Sequence, residues 1–139
     1  MIRLPFEFIV QGPPRSAQTH SPAALRKWKN NVIDAATHCI PAGAVVVTER
    51  IRLRVAYYHD GLAAGLDLDN MAKPIQDALN GVVYEDDSQI VDSTLRATSI
   101  DGPYKIRGMS MVLAEGFHQG KEFLHVVIEP APNHEEFLK

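Results

Sequence analysis

Between residues 67 and 92 the chain reads DLDNMAKPIQDALNGVVYEDDSQIVD. Asp67, Asp69, Asp86 and Asp87 bracket a short apolar-periodic stretch that also carries Lys73 and Asp77. If Asp67 and Asp69 lie on extended chain, their side chains share a face. Asp69 also stands where a helix N-cap would be. The helical pattern Asn70–Asn80 then carries the chain away and Val82–Tyr84 brings it back. Asp86 or Asp87 thereby returns to the same end of a sheet. Three carboxylates brought together raise one another's pKa. A divalent cation reverses that penalty, and hard oxygen ligands with open positions suit Mg2+ or Mn2+. Such an ion polarises a phosphoryl oxygen and activates water for in-line attack. Lys73 lies four residues after Asp69, on the same helix face, where it can stabilise charge on a phosphate or orient the water. Taken singly, these residues also have plain structural uses: Asp69 and Asn70 as helix caps, Asp86-Asp87-Ser88 as a solvated turn. The spacing of the whole set is harder to reach from capping needs alone.

The elements that must hold this set follow from periodicity. Met1–Val10 alternates, with Ile2, Leu4, Phe6, Phe8 and Val10 on one face, and predicts a strand. Gln11–His20 contains Gly12, Pro13 and Pro14 and predicts a loop. Ser21-Pro22 opens a helix, with Leu25, Trp28 and Val32 at helical spacing, running to about Cys39 before Pro41 and Gly43. Ala44–Tyr58 predicts a long strand with one apolar face and a ladder of Arg50, Arg52 and Arg54 on the other. That ladder reads as a solvated sheet face or as a phosphate-facing stripe. Asn70–Asn80 predicts the second helix, stopped by Gly81. Pro74 confines its start, since proline suits only the first turn, and biases Lys73 away from helical angles. Gln89–Ile100 predicts a strand that ends at the turn Asp101-Gly102-Pro103. Ser110–Gln119 reads as a short helix or another strand, and Glu122–Glu129 as a last strand. The order predicts an α/β (α+β) fold, a small mixed β-sheet packed against helices. A single domain spans residues 1–130, with a loosely held tail over 131–139.

Composition removes several other chemistries. The chain has 139 residues, 45% apolar and 22% charged, which suits one soluble globular domain. The one cysteine, Cys39, forbids an intrachain disulfide and a cysteine zinc site, and reads as a small core residue. No two of the six histidines have metal-ligand spacing with a nearby carboxylate, so they read as structural or surface groups. Ser21 and Ser88 lack a nucleophile-elbow context. Gly12-Pro13-Pro14 is not a phosphate loop of the Gly-Lys-Ser type. Its neighbours Arg15, His20, Arg26, Lys27 and Lys29 are able to touch a DNA backbone, although Lys and Arg on a helix face are usually just solvated. Trp28 reads as core. No run approaches the roughly 20 apolar residues of a membrane span, and Met1–Val10, with Glu7, lacks the apolar run of a signal peptide. Cytoplasm is the expected location.

The run from Asp67 to Asp92 closely resembles the signature of the RusA family of Holliday junction resolvases. That resemblance implies a RusA-like fold and a small, Mg2+-dependent, homodimeric endonuclease that cuts four-way DNA junctions in recombination and repair. It implies that Asp67, Asp69 and Asp87 are the catalytic, metal-binding carboxylates and that Lys73 is the essential lysine. Asp86, Asn70 and Gln89 take supporting, orienting roles. A four-way junction has approximate two-fold symmetry, and a C2 dimer supplies two matched sites.

Two other readings fit the same residues: a non-catalytic module that binds branched nucleic acid or protein, and a metal-dependent phosphohydrolase acting on another nucleic-acid substrate. Residues 101–120 read as an elaboration without an assigned function. The net charge of -3 is unevenly spread: +5 over residues 1–59, -7 over 60–101 and -1 over 102–139. The acidic block surrounds the proposed metal site, where divalent cations offset it. The N-terminal block is basic enough to meet phosphate. His59–Leu66, just ahead of Asp67, carries no Lys or Arg, and the segregated charge predicts weaker, more metal-dependent DNA binding than a uniformly basic resolvase would show.

Overall fold

Alternating apolar residues along four segments build one mixed sheet in the computed structural model, which describes residues 1–61, 66–101 and 108–133. The strands are β1 (Phe6–Gln11), β2 (Ile51–His59), β3 (Ile90–Ser99) and β4 (Phe123–Pro130), in the spatial order β1-β4-β2-β3. β4 runs antiparallel to both β1 and β2, while β2 and β3 are parallel. A parallel pair needs a crossover, and here it contains helix α2 (Leu68–Leu79) and a short 3₁₀ turn at Asp87–Gln89. Helices α1 (Pro22–Cys39) and α3 (Met111–His118) complete the α+β fold.

The pleat sorts the sheet into two faces. Ile51, Leu53, Val55 and Tyr57 of β2 are buried in one core with Trp28 and Val32 of α1 and Met71 and Ile75 of α2. On the opposite face Tyr58 and Phe123 form a smaller cluster with Leu113 of α3. The sheet is therefore a central layer, with α1 and α2 on one side and α3 on the other. The two long helices are adjacent and are linked by the Lys29–Asp77 ion pair at 3.8 Å.

Several expectations need correction. Strand β1 begins at Phe6 rather than Met1; the earlier residues are irregular, with the Ile2 amide donating to the Val45 carbonyl at 2.8 Å. β2 begins at Ile51 rather than Ala44, and Val47 instead bridges to Tyr84. Arg50 thus lies outside the strand. Cys39 is exposed, not a core residue: it is the last residue of α1, and the buried stripe Trp28, Val32, Ala36 ends one turn before it. Ser110–Gln119 is helical, with Ser110 accepting from the Leu113 amide. The stretch Leu62–Gly65, the end of the Asp101-Gly102-Pro103 turn and the tail from residue 134 lie outside the described residues.

Candidate active site

Helix α2 starts two residues earlier than its apolar pattern suggests. Asp67, extended at φ -99° and ψ 133°, is the N-cap, and its carboxylate accepts the Asp69 amide at 2.8 Å. Asp69 is therefore a first-turn residue and not the cap. Asp67 and Asp69 do not share a strand face; the capping turn sets them side by side at the helix end. Both are exposed.

Pro74 lies in the second turn of α2, well past the position where proline is normally tolerated. Its nitrogen has no hydrogen to offer the carbonyl of Asn70. The Ala17 amide, from the loop after β1, donates to that carbonyl instead, at 2.9 Å. The helix therefore continues through Pro74 without an orphaned acceptor. Lys73 remains within α2, contrary to the bias expected of a residue before proline.

The other end of α2 is closed in a comparable way. The buried Tyr84 hydroxyl donates to the Gln76 carbonyl at 2.7 Å. Gly81 turns the chain at φ +75°, a conformation that suits glycine. Asp86 then caps the 3₁₀ turn, accepting the Ser88 amide at 3.1 Å. Hydrogen bonds from the Ser88 hydroxyl and amide hold the Asp86 carboxyl below the usual range. Gln89 fastens this turn to the chain before β2. Its side-chain nitrogen donates to the carbonyls of Val47 (2.9 Å) and Glu49 (2.8 Å), and its side-chain oxygen accepts the Asp86 amide at 2.9 Å. Asp87, half-buried, sits between these two anchors.

Lys73 joins the two halves. Its ammonium donates to Asp77 at 3.1 Å. Asp77, through that bond and its charge, raises the Lys73 pKa, and the Asp87 charge adds to the rise. Lys73 is exposed and stays protonated across the neutral range. The structure thus places Asp67, Asp69, Asn70 and Lys73 on α2, with Asp87 within electrostatic reach of Lys73. Among the described residues no three Asp, Glu, His or Cys side chains stand close enough to hold one ion. By donor chemistry the exposed carboxylate oxygens of Asp67 and Asp69, with Asp87 across Lys73, fit a hard cation. The side-chain positions in this structure do not assemble that shell.

The basic residues divide by face. Arg15 sits in the loop tied to α2, and Arg26 and Lys27 are exposed on α1 beside it. Arg52 and Arg54 lie across the sheet, on the α3 side. Arg52 pairs with Asp92 at 3.0 Å and Glu129 at 3.5 Å, and Arg54 with Glu129 at 3.4 Å. They line an open concavity of about 590 Å³ with Glu7, Arg96, His125 and Glu129. Much of the ladder's charge is thus met by carboxylates within the sheet. Sequence reasoning missed the anchoring roles of Ala17, Tyr84 and Asp77. Pro74 carried a readable signal, since a proline past the first turn of a helix frees the carbonyl four residues before it.

Among the described residues no helix is long and apolar enough to cross a membrane. No curated protein matches the chain. The family model described as Endodeoxyribonuclease RusA matches residues 10–106, which takes in β1's end, the α2 unit with all the candidate carboxylates, and β3. With well over half its length matched and the signature residues in place, the chain belongs to the RusA endodeoxyribonuclease family.

Proposed function

We propose that the protein is a divalent-metal-dependent endodeoxyribonuclease, active as a homodimer, that resolves four-way DNA junctions by paired phosphodiester hydrolysis. One observation carries this reading: Asp67, Asp69 and Lys73 share the exposed N-terminal half of α2, and Lys73 feels the charge of Asp87. A pure binding surface gains nothing from carboxylates turned toward phosphate. Asp67, Asp69 and Asp87 would hold the ion, with Mg2+ favoured and Mn2+ an alternative. Bound there, it would supply Lewis acidity and a water of lowered pKa. Lys73, kept cationic by Asp77, offsets the negative charge that grows on the phosphoryl oxygens. Asp86 and Gln89 orient the turn that carries Asp87, and Asn70 holds the first turn of α2. Arg15, Arg26 and Lys27 share the helical side with this site and meet the DNA backbone there. Arg50, Arg52 and Arg54 are secondary contacts, because two of them already pair with carboxylates.

The test uses a labelled synthetic four-way junction, a flap and a linear duplex. Each is incubated with Mg2+ or chelator, beside Asp69→Asn. Paired junction cuts that vanish with chelator and in the variant support the proposal. Junction binding without cutting overturns the enzymatic reading in favour of a binding module, and cleavage of the flap alone points to another substrate. A monomeric mass at micromolar concentration overturns the dimer.

A further inference from the structure

We propose that Pro74 is a positioning residue: by withholding an amide hydrogen from Asn70 it opens a helix carbonyl for Ala17, and so clamps the Arg15-bearing loop beside Asp67 and Asp69 to grip the phosphate backbone of the DNA. The inference rests on the nuclease reading of this end of α2.

In an unbroken helix the Asn70 carbonyl would accept from residue 74. An intrahelical partner at position 74 would compete with the Ala17 amide for that oxygen. Proline removes the competitor. The Ala17–Asn70 bond, at 2.9 Å, then ties two segments more than fifty positions apart. The start of the loop is tied to the other side of the molecule, where the Gly12 amide donates to the Glu122 carbonyl at 3.4 Å. The Ser16 hydroxyl accepts the Gln18 amide at 3.0 Å, and the Thr19 amide donates to the Ser16 carbonyl at 3.1 Å, but both act within the loop itself.

The tether sets where the positive charge can go. Arg15 is two Cα steps from Ala17, at most about 7.6 Å, and is exposed. Asn70 directly follows Asp69. A phosphate approaching the carboxylates therefore comes within range of the Arg15 side chain without any movement of the loop. This supplies positive charge where the approach segment His59–Leu66 has no Lys or Arg. Arg15 lies two residues from the amide that is bonded to the acidic helix, whereas Arg26 and Lys27 are carried by α1.

Two variants break the tether from opposite ends. Pro74→Ala returns a competing donor to α2, and Ala17→Pro removes the donor from the loop. Amide hydrogen exchange of the free protein reads the tether without DNA. Exchange of the Ala17 amide is expected to rise about tenfold or more in Pro74→Ala, with core amides of β2 and β4 unchanged. Unchanged exchange at Ala17 overturns the proposal. Junction affinity against salt, measured in Ca2+ to prevent cutting, reads the consequence. Arg15→Ala should lower the slope of log K against log salt by about 1 in the parent protein. It should do little in Pro74→Ala or Ala17→Pro. An equal effect of Arg15→Ala in all three backgrounds overturns the positioning role. A parent protein that binds no junction overturns the nuclease reading, while the exchange data still decide the tether.

Discussion

Gln89 offers the sharpest check on how Asp87 is held. Its side chain makes three hydrogen bonds, two donated to the carbonyls of Val47 and Glu49 and one accepted from the Asp86 amide. At a net worth of roughly 1 kcal/mol each, their ceiling is about 3 kcal/mol. Two of the three are solvent-exposed, so water replaces part of what is lost. Gln89→Ala is therefore expected to cost about 1.5–2 kcal/mol. Gln89→Glu preserves length and shape but turns a donor into an anionic oxygen facing two carbonyls. That variant should cost about 3 kcal/mol, more than the truncation, because an unmet repulsion is worse than a vacated bond. The assay is urea unfolding of the three proteins, read at unchanged m. A Gln89→Glu protein as stable as Gln89→Ala would refute the claim that this amide is fixed by two backbone carbonyls. Both variants should also lose junction cleavage beyond their loss of folded fraction, since the turn they release carries Asp87.

Other expectations follow from single contacts. Tyr84→Phe keeps the buried ring but strands the Gln76 carbonyl, which predicts a loss of about 1–2 kcal/mol in denaturant unfolding; a neutral result would mean that water reaches that oxygen. Gly116 in α3 leaves no room for a Cβ, which would stand 2.6 Å from Cζ of Phe123. The Phe123 ring is fully buried and stacked on Tyr58, so Gly116→Ala should lower stability by about 1–3 kcal/mol in thermal unfolding despite the better helix former. Burial holds the pKa of His125 below its ordinary value, against the opposing pull of Glu7 at 3.3 Å. The unfolded state thus takes up the proton first. Stability is present above the unfolded pKa near 6.5 and falls as pH drops below it. His125→Asn should flatten that acid limb of the unfolding midpoint, and an unchanged limb would assign the loss to other groups.

Much of the fold was legible because its signals are local. Ser21-Pro22 and the spacing of Trp28 and Val32 define α1, and alternation marks β1 and most of β2, whereas β4 buries residues on both faces. The starts of β1 and β2 were not legible, because Met1–Pro5 and Ala44–Arg50 keep an apolar alternation while their backbones bond elsewhere. Val47, for example, pairs with the segment after α2, a contact between residues thirty-seven apart that no periodicity records. At the site, the roster of charged residues was legible as a motif, while their support was not. Asp67 rather than Asp69 became the cap because a single carboxylate–amide bond decides between two equally suitable aspartates. The face on which Arg52 and Arg54 lie was readable from the pleat. Their pairing with Asp92 and Glu129 was not, since it depends on which strands become neighbours.

The place of β4 in the sheet has a consequence for synthesis. β4 lies between β1 and β2, yet it is the last of the four strands in the chain, and Phe6 waits for Ile128. At about 5–20 residues per second on the ribosome, roughly 2–6 s separate the emergence of β3 from that of β4. Through that interval β1 has no strand to pair with, and the loop that follows it, with Ala17 and Arg15, has no fixed base. The acidic helix is made early, whereas the basic loop that tethers to it gains its footing last. A protein truncated just before β4 is accordingly expected to show no cooperative unfolding, and a sharp transition in that chain would count against this order of assembly.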